Sequence, residues 1–353
     1  MKILLCSVPF APSIGGIETV SELLAHQFQN LGHAVTVVTQ TPAAATPPRV
    51  ISVRPTSESF AVLRRPTGAQ LVRAVQRHDV VLHNQISLRL GWPLVALRKP
   101  WVVAHHTWLP RHGPGAMAAR VKRLMLRAGQ NIAVSQALAQ DLQLPCLVVP
   151  NPYDLNVFQN DESVPRLRDL VFVGRLVSDK GVPLLLDALL NLRARGLRPT
   201  LSIIGGGPDE ATLRARVMVQ GLAPQVLFAG SLRGTALARA MQGHRAVVVP
   251  SVWEEPFGLV ALEGLACGCL PIVAASGGLA EAAGPVSRVF KKGDALALAD
   301  TLASWLNEAP ELLGRQPAVA AHLARHHPSR VARGYLDVLE RALRGTQSRS
   351  RAA

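Results

Sequence analysis

The chain has 353 residues, of which 48% are hydrophobic and 4% aromatic, and its formal net charge is +15. This length suits two domains, each with its own core, and the apolar fraction excludes a disordered chain. No apolar run reaches the ~20 residues that a bilayer span needs. The four cysteines do not form a spaced disulfide framework, so we expect a cytoplasmic protein.

Short apolar runs alternate with helical patterns in the first 150 residues. The predicted strands are KILLCSV, AVTVVTQ, DVVLHNQ, PWVVAHH, QNIAVS and CLVVPN. The first run could also begin a signal peptide, but the Gly-Gly pair and the helical pattern over 18–30 that follow it favour a buried strand. Continuous apolar strands joined by helices indicate a parallel sheet that is covered on both faces.

The same alternation begins again in the second half of the chain. Its predicted strands are DLVFVGR, TLSIIGGG, QVLFAGS, RAVVVPS and LPIVAAS, and the polar stretch 160–169 is the predicted linker. We therefore predict an α/β fold with two Rossmann-like, doubly wound domains, residues 1–160 and 161–330, followed by a C-terminal helix and basic tail over 331–353. Ligands bind at the carboxyl ends of the strands in such sheets, so the two domains should face a shared cleft.

Three glycine-containing loops follow predicted strands. Gly15 and Gly16 precede the first helix, where free N–H groups would suit an anion, although a plain tight turn fits the sequence equally well. Arg175 and Lys180 follow another strand and suit a diphosphate, the first as a fork and the second as a point charge; ordinary surface cations are the alternative. Gly205 begins a run of three glycines after the next strand.

Two carboxylates, Glu255 and Glu263, bracket the nearly apolar segment WEEPFGLVALEG. Pro256 suits the first position of a helix, so the sequence predicts a helix with Glu255 just before its N-terminus. Eight residues then span roughly 12 Å, which is too far for a shared proton but suits two acceptors at opposite ends of an elongated ligand. The helix start between them would receive a phosphate. A sugar, a diphosphate and a ribose in a row would meet these requirements.

A basic region lies in the first half, since residues 80–140 contain no Asp or Glu but several Lys and Arg. Such a field attracts phosphate-bearing partners. Within it, MAARVKRLMLRA predicts a basic amphipathic helix over 117–128. The helix either packs on the core with a solvated outer face or docks on an anionic membrane. The second alternative would make the protein peripheral on the inner face of the membrane. The predicted apolar face comprises Met117, Val121, Leu124, Met125 and Ala128.

Several segments, in order and with suitable gaps, together resemble family 4 of the retaining glycosyltransferases, which have the GT-B fold. They are PSIGGIETVSELLAHQFQNLGHAVTVVT, AVSQALAQDL, VVPNPYDLNVF, VGRLVSDKG, IIGGGPDEATL, VLFAGSL and VVVPSVWEEPFGLVALEGLACGCLPIVAASGGLAE. The E-x7-E element in the last segment is the most specific. The resemblance implies that a sugar is transferred from a nucleotide-diphosphate sugar with retention at the anomeric carbon.

The resemblance also implies roles for individual residues. Glu255 would hold hydroxyls of the transferred sugar, and Glu263 would hold the ribose. Arg175 and Lys180 would neutralise the diphosphate leaving group, so no metal ion and no cofactor besides the nucleotide-sugar substrate are expected. Further substrate contacts would come from Gly15, Gly16, Asn151, Gly205, Phe257, Gly258, Leu259 and Val260.

The family has a His close to the sugar, after a strand of the first domain. The segment VVAHHTWLP offers His105 and His106, and the register favours His106 as the catalytic residue. Two positions depart from the family pattern. Pro152 stands in NPYD where the family often has NGVD, and Thr107 follows the His where the family often has Asp.

We therefore predict a hexosyltransferase that moves a sugar from a UDP-sugar, or next from GDP-mannose, to a cell-envelope glycan or glycolipid such as lipopolysaccharide or exopolysaccharide. One alternative is a nucleotide-sugar epimerase or phosphorylase of the same fold, which the E-x7-E element together with Arg175 and Lys180 disfavours. Another is a nucleic-acid-binding protein, which the charge suggests. The low aromatic content and the lack of any nucleic-acid-binding signature argue against it.

Overall fold

The computed structural model describes residues 1–13, 15–43, 60–308 and 316–351. The chain divides into two compact units. The first unit contains Met1–Pro152 and His326–Ala353, and the second contains Tyr153–Arg325. Among the described residues, no helix combines the length and the apolar character needed to cross a membrane.

The strands of the first unit are β1 (Lys2–Cys6), β2 (Ala34–Thr39), β3 (Ala61–Arg64), β4 (Val80–Asn84), β5 (Trp101–His105), β6 (Gln130–Ala133) and β7 (Leu147–Val148). In the described part of the chain they form one parallel sheet in the order β3-β2-β1-β4-β5-β6-β7. All residues of β4 and β5 are buried, because continuous apolar strands are covered on both faces of a parallel sheet. The strand order reverses between β1 and β4.

The strands of the second unit are β8 (Arg168–Val173), β9 (Leu201–Ile204), β10 (Val226–Gly230), β11 (His244–Val249), β12 (Leu270–Ala274) and β13 (Arg288–Phe290). They form a second parallel sheet within the described ranges, in the order β10-β9-β8-β11-β12-β13. The order reverses between β8 and β11. Both sheets therefore have the doubly wound arrangement that the sequence predicts.

Helices connect successive strands. In chain order they are α1 (Gly16–Asn30), α2 (Gly68–Arg77), α3 (Leu88–Leu97), α4 (Ala116–Leu126), α5 (Gln136–Leu142), α6 (Val182–Ala194), α7 (Glu210–Val219), α8 (Gly234–Gln242), α9 (Leu259–Ala266), α10 (Leu279–Ala283), α11 (Ala295–Leu306), α12 (Pro317–Arg325) and α13 (Pro328–Arg351). The last helix belongs to the first unit, where it contacts α1 and strands β4, β5 and β6.

The chain passes between the units at different positions from those that the sequence predicts. The first passage lies between Pro152 and Tyr153, and the stretch 160–169 belongs to the second unit. Arg166 in that stretch donates hydrogen bonds to the carbonyl oxygens of His244 and Cys267, at 2.7 and 2.8 Å. These bonds tie the polar stretch to the second unit, so it is not a linker.

Two strands were not predicted from the sequence, and both lie at sheet edges. Strand β3 has no buried residue, and strand β13 has three residues, of which one is buried. An edge strand has a neighbour on one side and needs no continuous apolar run, so the apolar pattern that marks the central strands is missing.

The helix predicted to begin at Pro256 begins later. Helix α9 starts at Leu259, because Gly258 has a φ of 115° and interrupts any helix that includes Pro256. Glu255 therefore lies in a loop, and Glu263 lies in the helix. The two acids therefore do not lie on a single helix, contrary to the sequence prediction.

The buried end of helix α13 allows a test of its packing. Tyr335 is fully buried, and its hydroxyl has no hydrogen-bond partner among the described residues. Removing an unpaired buried hydroxyl removes a desolvation cost of about 1–3 kcal/mol. We expect Tyr335→Phe to raise the free energy of unfolding, measured by denaturant titration. Tyr335→Ala should lower it by several kcal/mol because it leaves a cavity. A destabilised Tyr335→Phe variant would show that the hydroxyl is paired in solution.

Candidate active site

The loops after β8 and β11 meet where the second sheet reverses its order. The loop after β8 contains a 3₁₀ turn over Ser178–Lys180, which ends at Gly181 with a φ of 76°. A Cβ atom on Gly181 would lie 1.9 Å from the carbonyl oxygen of Pro250, which follows β11. This close approach requires glycine, and it brings Lys180 beside the segment that carries Glu255.

The loop after β9 packs as closely against the loop after β8. A Cβ atom on Gly205 would lie 1.8 Å from the carbonyl oxygen of Gly174, and one on Gly207 would lie 2.3 Å from that of Leu176. Gly205 also has a φ of 143°, a conformation that favours glycine. The glycine run is therefore explained by the contact between these two loops, and the same contact positions Arg175.

Lys180 and Glu255 form an ion pair in the second unit. Lys180 Nζ lies 2.6 Å from Glu255 Oε1, and both side chains are largely buried, at 25% and 13% exposed. The Ser251 hydroxyl donates a second hydrogen bond, of 2.8 Å, to the same oxygen. Both donors use Oε1, so Oε2 accepts no bond from the described residues and is available to a ligand hydroxyl.

The main chain around Glu255 is fixed by the loop after β12. The Ser276 hydroxyl donates to the carbonyl oxygen of Trp253 at 2.7 Å. The N–H of Gly278 donates to the carbonyl oxygen of Glu255 at 2.8 Å. Glu255 is thus held by its main chain on one side and by Lys180 and Ser251 on the other, which pre-organises its carboxylate.

Arg175 differs from Lys180 in having no partner among the described residues. Its side chain is exposed, and it makes no hydrogen bond or ion pair with the residues that the structure describes. An unpaired guanidinium can donate two parallel hydrogen bonds to one phosphate group. Within the described part of the chain, the site therefore offers one free cation and one cation that is paired with a carboxylate.

Helix α9 begins beside this cluster. Its N-cap residue Gly258 has no side chain to cap the first turn, so among the described residues the main-chain N–H groups of Leu259 and Val260 lie at an uncapped helix start. A Cβ atom on Gly258 would lie 2.4 Å from Leu279 Cδ2, so this position too requires glycine. Phe257 is 4% exposed and packs in the interior.

Glu263 lies in α9 among apolar residues. Burial raises the pKa of its carboxyl from the ordinary 4.5 to about 8, and the nearby Asp154 contributes a smaller increase. The carboxyl group of Glu263 makes no hydrogen bond or ion pair within the described ranges. The two acids of the E-x7-E element therefore have different surroundings, since Glu255 has a lysine partner and Glu263 does not.

In the first unit, His105 and His106 have different partners. His105 ends β5, is fully buried, and its Nε2 lies 3.1 Å from Asn131 Oδ1. Asn131 in turn donates to the carbonyl oxygen of Leu126, at 3.1 Å. Burial lowers the pKa of His105 to about 4. These contacts tie His105 to the packing beneath α4.

His106 lies just beyond β5, at the carboxyl edge of the first sheet and one strand away from the reversal between β1 and β4. Its Nε2 lies 2.5 Å from Asn84 Oδ1, at the end of β4. Its main-chain N–H donates to Gln85 Oε1 at 2.8 Å. Burial, and next the neighbouring His105, lower the pKa of His106 to about 3, against a smaller opposing effect of the Asn151 side chain. The imidazole is therefore neutral at neutral pH.

A further carboxylate, that of Glu18, lies in the first turn of helix α1. Gly15 precedes α1 and Gly16 is its first residue. Glu18 folds back over Gly15: a Cβ atom on Gly15 would lie 2.6 Å from Glu18 Oε2, and the Ser13 hydroxyl donates to Glu18 Oε1 at 3.2 Å. In the structure, a side chain of the same helix covers Gly15.

Sequence reasoning did not single out Ser251, Ser276 or Asn84. Each follows or ends an apolar strand at the carboxyl edge of a parallel sheet, which is a recognisable signal. Which partner each side chain would take could not be derived, since the partners lie many residues away in the chain. Ser276, for example, follows β12 and donates a hydrogen bond to the carbonyl oxygen of Trp253, which follows the neighbouring strand β11.

Two family models match consecutive parts of the chain. The model described as Glycosyltransferase Family 4 matches residues 14–157. The model described as Glycosyl transferases group 1 matches residues 157–316. The chain belongs to family 4 of the glycosyltransferases. It is a retaining enzyme of the EC 2.4 class that uses a nucleotide sugar.

Named proteins from other organisms also match. A glycogen synthase of Mycobacterium tuberculosis is 26% identical over 341 residues, which cover 80% of this chain and 80% of that protein. An uncharacterized glycosyltransferase of Methanocaldococcus jannaschii is 36% identical over 123 residues. That match covers 35% of this chain and 30% of the other.

The fold is similar to that of HepE from Anabaena, which was crystallised with UDP and glucose. The TM-score is 0.78 at 20% identity, and the match covers 96% of this chain and 99% of HepE. This likeness supports the GT-B fold predicted from the sequence.

The raised pKa of Glu263 predicts a pH-dependent contribution to stability. Between the ordinary pKa of 4.5 and the raised value of about 8, the folded protein keeps a proton that the unfolded chain loses. The free energy of unfolding should therefore fall as the pH rises through this window and level off above it. Glu263→Gln should lack this decline in denaturant titrations across the window, whereas Glu281→Gln, on the exposed side of α10, should keep it. If Glu263→Gln declines as the wild type does, Glu263 ionises normally.

Proposed function

We propose that this glycosyltransferase takes its sugar from a UDP-sugar, with GDP-mannose as the second candidate, and transfers it to a cell-envelope glycan or glycolipid. Lipopolysaccharide and exopolysaccharide are acceptors of this class. The observation that carries the proposal is the ion pair of Lys180 and Glu255 at the reversal of the second sheet, with Arg175 in the same loop as Lys180. We call these three residues the cluster. HepE, which has a similar fold, binds UDP and glucose, and this supports uridine as the base.

The cluster suits the diphosphate and the sugar hydroxyls of a nucleotide sugar. Arg175 is exposed and unpaired within the described chain, so its guanidinium can bind a diphosphate. Lys180 can share its three donors between the diphosphate and Glu255. The free Oε2 of Glu255 can accept hydrogen bonds from sugar hydroxyls, and Glu263 would hold the ribose.

The reaction breaks the bond between the anomeric carbon and the diphosphate oxygen and forms a bond to the acceptor oxygen. Negative charge develops on the departing diphosphate, and Arg175 and Lys180 would offset it. We propose that the acceptor attacks from the face that the diphosphate leaves, which retains the configuration. The acceptor proton would pass to the departing phosphate oxygen. His106 would lie beside the sugar.

Nucleotide binding tests the donor assignment. Thermal unfolding is measured with UDP, GDP, ADP and dTDP, each at about 100 times its dissociation constant, where a bound ligand stabilises by about 2.7 kcal/mol. We expect UDP to raise the midpoint of the wild type and to raise it much less in Lys180→Ala.

Lys122→Ala is the matched control, since Lys122 makes no ion pair with the described residues and lies in the first unit. It should respond to UDP as the wild type does. A response to GDP alone would replace uridine by guanosine. If no nucleotide raises the midpoint, the assignment of Arg175, Lys180 and Glu263 fails.

We further propose that the first unit docks on an anionic membrane, where a glycolipid acceptor would be found. The proposal rests on apolar side chains of helices α3 and α4 that are exposed to solvent. Met117, Val121 and Leu124 on α4 are 71%, 45% and 67% exposed, whereas core packing would have buried them. Trp92 and Val95 on α3 are 50% and 55% exposed. We call these five side chains the apolar surface of the first unit.

Unpaired cations accompany the apolar surface. The side chains of Arg89, Arg98, Arg120, Lys122 and Arg127 make no ion pair or hydrogen bond with the described residues. Arg123 differs, since it donates to the carbonyl oxygen of Leu109 at 2.8 Å. Exposed apolar side chains among free cations, with no acid between residues 80 and 140, complement an anionic lipid surface.

Vesicle binding tests this surface. Each cation near an anionic surface contributes about 1 kcal/mol, so Arg120→Gln with Arg127→Gln should weaken binding to anionic vesicles about 30-fold. Met117→Ser with Leu124→Ser should also weaken it, by removing apolar contact.

Met218→Ser with Val219→Ser is the control, since these apolar side chains of the second unit are 69% and 87% exposed. This pair of changes should have no effect on vesicle binding. Equal binding of the wild type to neutral and anionic vesicles, measured by co-sedimentation at low and high salt, would contradict the proposal.

A further inference from the structure

A chain of hydrogen bonds leads to His106 through the interior of the first unit. It runs from the carbonyl oxygen of Pro9 through Ser7, Ser21 and Asn84 to His106, with distances of 2.7, 2.8, 2.6 and 2.5 Å. The three linking side chains are fully buried. Each hydroxyl has one proton and the amide has one donor end, so the direction of every bond can be derived.

The direction of the hydrogen bonds is set at the end of the chain of bonds that lies at Pro9. A main-chain carbonyl oxygen can only accept, so the Ser7 hydroxyl donates to Pro9. The Ser7 proton is then engaged, and the 2.8 Å contact between Ser7 and Ser21 requires the proton of Ser21. The Ser21 hydroxyl also lies 2.8 Å from the carbonyl oxygen of Ile17, another pure acceptor. In both arrangements the Ser21 proton points away from Asn84.

The amide of Asn84 is oriented as a consequence. The 2.6 Å bond between Ser21 and Asn84 must be donated by Asn84 Nδ2. A reversed amide would place its oxygen against a Ser21 oxygen that has no proton to offer, and 3.5 Å from the Ile17 carbonyl oxygen. Asn84 Oδ1 therefore faces His106 and accepts a proton from Nε2.

A neutral imidazole carries one N–H, so Nδ1 of His106 is left as an acceptor. None of the described residues donates a hydrogen bond to Nδ1, and the Asn151 side chain, which opposes the lowering of the His106 pKa, acts on the ring as an acceptor. The side chain of Asn151 adjoins the same ring, and its buried Oδ1 is likewise without a partner in the described part of the chain. Two neighbouring acceptors suit hydroxyl donors and repel phosphate oxygens.

We propose that Asn84, oriented by Ser21 and Ser7, is a positioning residue that holds His106 in the Nε2–H tautomer, so that Nδ1 and Asn151 Oδ1 accept hydrogen bonds from hydroxyls of the transferred sugar. This inference rests on the proposed function, in which His106 lies beside the donor sugar. It makes His106 a hydrogen-bond acceptor toward the sugar and not a proton donor to the leaving group.

The tautomer can be read directly in the full-length protein. Long-range proton–nitrogen NMR spectra of the chain with isotope-labelled histidine distinguish protonated from unprotonated ring nitrogens, and His106→Gln identifies the signal of His106. We expect Nε2 to carry the proton in the wild type. Asn84→Ala and, independently, Ser21→Ala should abolish this preference. A wild-type ring with the proton on Nδ1 would overturn the proposal.

Ser202→Ala is the matched control. Ser202 is a buried serine of the second unit whose hydroxyl lies 2.8 Å from His244 Nε2. Its removal also deletes a buried hydroxyl beside an imidazole, but it should leave the signal of His106 unchanged. A change of that signal in Ser202→Ala equal to the change in Ser21→Ala would mean that the tautomer does not depend on the hydrogen-bond chain.

Ligand affinity tests the link to the sugar. We expect Asn84→Ala to bind UDP as the wild type does, but to bind UDP-glucose or UDP-galactose about tenfold more weakly, the effect of losing one hydrogen bond. An equal loss for UDP and the UDP-sugars would indicate a merely structural role and overturn the proposal. If the wild type binds neither UDP nor the UDP-sugars, the proposed function fails and the sugar contact with it, whereas the NMR result still decides the tautomer.

Discussion

Parallel strand pairing is the constraint on which both candidate sites depend. Each of the two sheets is parallel throughout its described strands, so every loop that follows a strand emerges at the same edge. Where the strand order reverses, neighbouring strands send their connections in opposite directions, and space for a ligand remains between them. Asn84 and His106 lie at this edge in one unit, and Lys180 and Glu255 in the other, although Lys180 and Glu255 are 75 positions apart in the chain.

The two acids of the E-x7-E element illustrate how surroundings give two carboxyl groups of one motif different chemical properties. Glu255 is balanced by Lys180 and Ser251, so its charge is stabilised where water is partly excluded. Glu263 lies in an apolar helix with no cation among its described contacts, and burial raises the pKa of its carboxyl to about 8. A carboxylate paired in advance and a carboxyl that keeps its proton are different hydrogen-bonding groups, which suits a ligand whose two ends differ.

The central strands and the loops that carry Arg175, Lys180 and Glu255 could be predicted, because continuous apolar runs and glycine-flanked polar residues are local in the sequence. The edge strands β3 and β13 were missed because they lack the apolar pattern of the central strands. They are strands because each pairs with a neighbouring strand at a sheet edge. The predicted start of α9 was wrong. Pro256 favours a helix start, but Gly258 has a left-handed backbone conformation, so the helix begins only after it. The bond from Ser251 to Glu255 depends on loop geometry that no local pattern contains.

The first unit is made of two separate parts of the chain, since α13 covers strands that are formed from the first half of the sequence. During synthesis on the ribosome, β4, β5 and β6 therefore emerge well before the helix that buries one of their faces. The second unit is continuous in sequence and can complete its core first. The N-terminal domain usually folds first during synthesis. In this chain the first unit can pack against α13 only after the whole second unit has been synthesised. Until α13 emerges, the part of the first sheet that it contacts stays uncovered, and we expect this apolar surface to need protection from aggregation in the nascent chain.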